Sequence, residues 1–112
     1  MFIAVYRFKS KPATKEAFIQ AWKTHMEGIY LVLGSLGSRL HKEEKTGDYI
    51  GYAQWPNKTH WENADFNHLN SEEYLKYKKA GEVMCKTIIS SDTILELDVE
   101  ADYLQSRTFL FE

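Results

Sequence analysis

Residues 34–57, GSLGSRLHKEEKTGDYIGYAQWPN, decide the fold. Two runs with strand character, Leu36 to Lys42 and Tyr49 to Trp55, flank a polar turn that holds Lys45-Thr46-Gly47-Asp48. Such a pattern predicts a β-hairpin. Gly34, Gly37 and Gly51 are places where the backbone can bend or be approached closely.

Working outward, Phe2-Ile-Ala-Val-Tyr-Arg-Phe8 is short and rich in β-branched and aromatic residues, which predicts a strand. Lys9 to Pro12 breaks it. Thr14 is a candidate N-cap, and Glu16 sits where a negative charge favours the helix dipole. Phe18, Ala21, Trp22, His25, Ile29 and Val32 then recur at three- and four-residue spacing, one apolar stripe of a helix ending near Gly34. Beyond the hairpin, Asn57 to Asp65 has helical spacing, Asn67 to Ser71 interrupts it, and Ser71-Glu72-Glu73 marks a new helix start running to about Lys86. Gly81 is its weak point. Thr93 to Val99 reads as a fourth strand. The order strand, helix, strand, strand, helix, strand is the split βαβ arrangement: an α+β, ferredoxin-like βαββαβ fold with an antiparallel four-stranded sheet and helices on one face.

A chain of 112 residues forms one domain, here 1–112 with residues 100–112 as a tail. The formal net charge of −2 and the lack of a basic stripe exclude a nucleic-acid partner from the expectation. Cys85 is the sole cysteine, so no intrachain disulfide can form. No run is long enough for a membrane helix, and the chain opens directly into a strand-like run without a signal-peptide pattern, which makes the cytoplasm the expected location.

The strands do not alternate cleanly between apolar and polar. Phe2, Ala4, Tyr6 and Phe8 face one way and Ile3 and Val5 the other; Tyr49, Gly51, Ala53 and Trp55 oppose Ile50, Tyr52 and Gln54. Both sheet faces are substantially apolar, so a second copy packed sheet to sheet is expected to cover the outer one. The tail ends Thr108-Phe-Leu-Phe111, too apolar to stand free in water; it packs on its own domain or docks on the partner of a homodimer.

Four pieces of the sequence carry a resemblance. They are Arg7-Phe8-Lys9 ahead of Pro12, Gly37-Ser38-Arg39-Leu40-His41, Tyr52-Ala53-Gln54-Trp55-Pro56, and His68-Leu69-Asn70-Ser71-Glu72-Glu73-Tyr74. In this order and spacing the chain is similar to the antibiotic biosynthesis monooxygenase family of dimeric α+β barrels, over roughly residues 2–99. The resemblance implies a homodimer with a pocket between sheet and helices in each subunit. It implies oxidation of an aromatic or quinol-like small molecule by dioxygen with no metal or flavin cofactor. A non-catalytic, small-ligand-binding dimer on the same fold is the alternative. Haem-binding or haem-degrading relatives carry an asparagine, a tryptophan and a histidine where this chain has about Tyr6, His68 and Lys78, so that branch is disfavoured. The stretch between Trp55 and His68 is about one helical turn longer than in typical members.

Cofactor-free oxygenation needs a base, donors for the resulting anion, and a dry pocket. Histidine is the natural base near neutral pH. His68 is the first candidate, because it falls in the family pattern; a surface residue capping its turn is the other reading. His25 sits on the apolar stripe, either as a core histidine satisfied by a neighbour or as the base. Trp22, Tyr52, Trp55 and Trp61 can stack on a planar substrate, although aromatics at these spacings are more often core; Tyr6, which points to the side of its strand opposite Arg7, is a further substrate-binding candidate. Arg39, on one strand face with His41, can bind an anionic group or stand on an exposed face. Asn67 can donate to an oxyanion or cap a loop. The four histidines show no metal-binding spacing, so no metal site is expected.

Overall fold

The computed structural model describes residues 1–104 apart from 68 and 70. Among them, β1 (Phe2–Ser10), β2 (Gly37–Lys42), β3 (Tyr49–Trp55) and β4 (Ile88–Asp98) form one sheet in the order β2-β3-β1-β4. All its pairings are antiparallel. Helices α1 (Lys15–Val32), α2 (Lys58–Glu62) and α3 (Leu75–Lys86) complete the chain order expected of the ferredoxin-like fold. The hairpin closes as its sequence predicts, with Gly37 opposite Gln54 and Lys42 opposite Tyr49. Arg7 of β1 pins its turn through Glu43 at 2.9 Å and Asp48 at 3.1 Å.

Alternation along β3 decides which face is inside. Tyr49, Gly51, Ala53 and Trp55 are buried, while Ile50, Tyr52 and Gln54 are only partly covered. The inner residues of β1 join them in two clusters. Phe8, Phe18, Ala21, Tyr49, Met84 and Ile88 form one; Phe2, Ala4, Ala53 and Trp55 form the other. Tyr6 packs against both, so it stands at the seam between them. Phe18 is wholly buried and anchors α1 to the sheet. Burying such a side chain contributes on the order of 2 kcal/mol.

Three local expectations change. Thr14 makes no side-chain cap; its residues 12–14 form a 3₁₀ turn, and its hydroxyl donates instead to the Thr87 carbonyl at 2.8 Å. That bond ties the start of α1 to the end of α3. Ser71 likewise precedes a 3₁₀ turn, Glu72–Tyr74, without capping it by its side chain. β4 starts at Ile88 rather than Thr93. Its first residues pair with Phe8, Lys9 and Ser10 across register shifts, and a shifted ladder erases the period-two pattern that marks a strand in sequence.

The outer sheet face is apolar where Ile3 and Val5 stand opposite Leu97 and Leu95. Leu95 is 50% and Leu97 42% exposed. Residues 101–104 are exposed; the apolar run Thr108 to Phe111 lies outside the described residues.

Candidate functional site

Two cavities, of about 470 and 210 Å³, lie between the inner sheet face and the helices. They share a wall made of Tyr6, His25, Ile29 and Trp55. The larger is bounded by Trp61, Phe66 and Asn67 on one side and Lys78 and Glu82 of α3 on the other. The smaller runs deeper among Phe8, Trp22, Met26 and Met84. The aromatics therefore line open space and do not fill it.

His25 is fixed by the packing of α1 on α3. Its Nδ1 lies 2.8 Å from the Tyr77 carbonyl. A carbonyl only accepts, so Nδ1 carries the proton and the neutral ring keeps its lone pair on Nε2. Burial lowers the His25 pKa, partly countered by the Tyr77 hydrogen bond. The ring is thus held neutral with an accepting nitrogen, the state a general base needs. Two glycines allow this approach. A Cβ on Gly28 would fall 2.3 Å from Cγ of Tyr77, and one on Gly81 would fall 2.7 Å from Cε1 of His25. Phe66 packs against the ring with centroids 5.6 Å apart.

Across the shared wall, the Tyr6 hydroxyl accepts from the indole N–H of Trp61 at 2.6 Å. Among the described residues no acceptor takes its own proton. Burial pushes the Tyr6 pKa up and the charge of Glu96 adds to this, while the Trp61 bond opposes both, so the phenol is kept protonated. Trp61 belongs to α2, and polar contacts hold that helix. Asn57 accepts from the His60 amide at 2.7 Å, His60 Nε2 donates to the Leu33 carbonyl at 2.9 Å, and Lys58 meets Glu96 of β4 at 3.1 Å. Gly34, at φ +85°, leaves the room that His60 occupies. Trp55 is 3% exposed, and its indole N–H has no acceptor among the described residues.

The structure thus sets Tyr6, Trp22, His25 and Trp55 along the smaller cavity, and Asn67 along the larger. Asn67 is occupied locally, donating from its backbone and amide to Asp65 at 2.8 and 3.3 Å. Arg39 is apart from this group. It stands opposite Tyr52, on the face that alternation turns away from the helices. Tyr52 borders the smaller cavity, but its hydroxyl accepts from Gln54 at 3.3 Å, and both residues line a separate outer depression with Arg39 and His41. His68 lies outside the described residues. Sequence reading missed the Trp61–Tyr6 bond, which joins residues 55 positions apart. It also read Gly81 as a weakness, although a glycine inside a helix is itself a signal of close approach.

Among the described residues no three His, Cys, Asp or Glu side chains are grouped to hold a metal ion, and no helix is long and apolar enough to cross a membrane.

The family model for antibiotic biosynthesis monooxygenases matches residues 1–80. Among solved structures, the chain is similar to SnoaB of Streptomyces nogalater, a cofactor-independent oxygenase, with 15% identity, 93% of this chain and 97% of that one covered, and a TM-score of 0.66. A conserved protein of Methanosarcina mazei Go1 matches at 14% identity over 81% and 85% of the two chains, TM-score 0.61. Rv0793 of Mycobacterium tuberculosis matches at 16% over 89% and 98%, TM-score 0.55. At these identities the likeness shows the fold alone. No curated protein sequence matches the chain.

Proposed function

Because the chain belongs to the antibiotic biosynthesis monooxygenase family, we propose that it is a cofactor-independent monooxygenase that oxidises an aromatic or quinol-like small molecule with dioxygen. The observation that carries the reading is the wall shared by the two cavities, where a neutral His25, whose Nε2 has no hydrogen-bond partner among the described residues, stands with a protonated Tyr6.

The substrate's phenolic proton passes to Nε2 of His25. Tyr6, its lone pair engaged by Trp61, donates to the phenolate oxygen. The phenolate then gives one electron to dioxygen, and the resulting radical and superoxide join at a ring carbon. The protonated peroxide loses water as the ring C–H proton leaves, and a quinone carbonyl remains. One oxygen atom stays in the product and one leaves in water. The substrate supplies all the electrons, so the reaction draws on neither flavin nor metal. His68 is retained as a second proton carrier, to be tested in parallel.

Homodimerisation through the outer sheet face belongs to the same reading, supported by the exposed Leu95 and Leu97 and by the twofold habit of the family. Light scattering at micromolar concentration should give a dimer mass, and Leu95→Lys with Leu97→Glu a monomer.

The deciding experiment is oxygen uptake by metal-stripped, flavin-free protein with a panel of hydroquinones and polycyclic phenols. The expected result is uptake that falls about 100-fold or more in His25→Asn, the lower bound for a general base. Retained uptake in His25→Asn with loss in His68→Ala moves the base to His68. No uptake above background with any compound turns the reading to a ligand-binding dimer.

A further inference from the structure

We propose that Gly81 is a positioning residue: its missing side chain holds His25 as the tautomer that leaves Nε2 free to accept. The inference rests on the base assigned above and goes on to what maintains it. Helix interiors disfavour glycine by about 1 kcal/mol relative to alanine. Yet α1 and α3 each carry one inside, and each faces a side chain of the other helix.

The two glycines are not equivalent. At Gly28 an added Cβ would meet Cγ and Cβ of Tyr77 at 2.3 and 2.7 Å. These atoms are the root of a buried side chain and cannot step aside. At Gly81 it would meet Cε1, Nδ1 and Nε2 of His25 at 2.7, 3.0 and 3.3 Å. Those belong to the far end of a side chain with two rotatable bonds. The ring can leave, and in leaving it gives up the Tyr77 carbonyl at 2.8 Å. Gly28 therefore sets the separation of the helices, while Gly81 sets the seat of the imidazole. Without that seat the ring is free to exchange tautomers, and Nε2 carries the proton for part of the time.

Gly81→Ala separates these roles. The variant should fold with a melting temperature close to that of the parent, since the helix propensity gained by alanine offsets the lost His25–Tyr77 hydrogen bond. Its His25 ring should lose the single Nδ1–H signature in ¹⁵N NMR, and its rate of oxygen uptake should fall at least tenfold with KM for the aromatic compound little changed. Unaltered His25 ring nitrogen shifts in a folded Gly81→Ala protein would overturn the proposal. So would a parent protein in which the His25 proton resides on Nε2, a measurement that needs no variant to fold. The NMR arm uses no substrate. An absence of oxygen uptake in the parent protein therefore strikes the oxygenase reading alone and leaves the positional claim to be decided by the spectra.

Discussion

Two regions flank the larger cavity, and they are held by opposite means. The α1–α3 contact is tight and largely apolar: Tyr77, Ala80 and Met84 are buried on α3, and glycines allow the helices to close. Helix α2 faces it with none of its residues, all described, buried. Apart from Trp61, which packs on Phe2, its hold is polar: a cap, a histidine bond to Leu33, an ion pair and the Trp61–Tyr6 bond. Close packing has one arrangement and resists partial disruption. Exposed polar contacts each contribute little and open locally. His25 is thus carried by the rigid side and the hydrogen-bond partner of Tyr6 by the compliant side. Under the proposed function, that division would let the pocket admit a planar molecule while keeping His25 fixed.

The contrast can be broken most severely at Gly28. Gly28→Ala should destabilise by about 3 kcal/mol through overpacking, offset by about 1 kcal/mol of gained helix propensity, as read from urea unfolding. A change below the error of the fit would show that the helix contact yields more readily than its geometry implies. The pH dependence comes next. Because the folded pKa of His25 is lowered by burial, the folded state binds fewer protons than the unfolded chain below about pH 6.5. Stability from this group is complete above that pH and is lost as pH falls through the lowered folded value. His25→Asn, which keeps an amide donor for Tyr77, should flatten the slope. An unchanged slope assigns the titration elsewhere.

The compliant side should give smaller effects. Trp61→Phe keeps the packing on Phe2, whose ring centroid lies 5.1 Å away, and removes the donor to Tyr6. It should cost about 1 kcal/mol. It should also raise the Tyr6 pKa further, because the Trp61 bond opposes the effect of burial; a high-pH ultraviolet titration reads this. Lys58→Ala, at an exposed ion pair, should leave the melting temperature unmoved at physiological salt. A clear drop there would mean that α2 is held more firmly than its surface contacts indicate.

Most of the fold was legible because it rests on short-range patterns. The β2–β3 hairpin follows from two β-rich runs and a polar turn, α1 from one stripe, and the inner face of β3 from strict alternation. β4 was legible only from Thr93, because its first residues owe their strand to partners on β1. Of the candidate site, Tyr6, Trp22, His25 and Trp55 were each open to a pocket or a core reading in sequence; the structure sets all four along the smaller cavity, a placement that leaves their roles to the proposed experiments. Arg39 was placed on a strand face, and the topology turns that face away from the helices.

Sequence alone determined most of the elements and their inward faces, because periodicity and turn chemistry act over a few residues, and its motifs carried the family resemblance. Tertiary structure decided the chemistry of the site. Which nitrogen of His25 holds the proton depends on a carbonyl 52 residues away, and which oxygen Trp61 meets depends on one 55 residues away. Those separations are closed only when the helices settle on the sheet, and no local pattern records them.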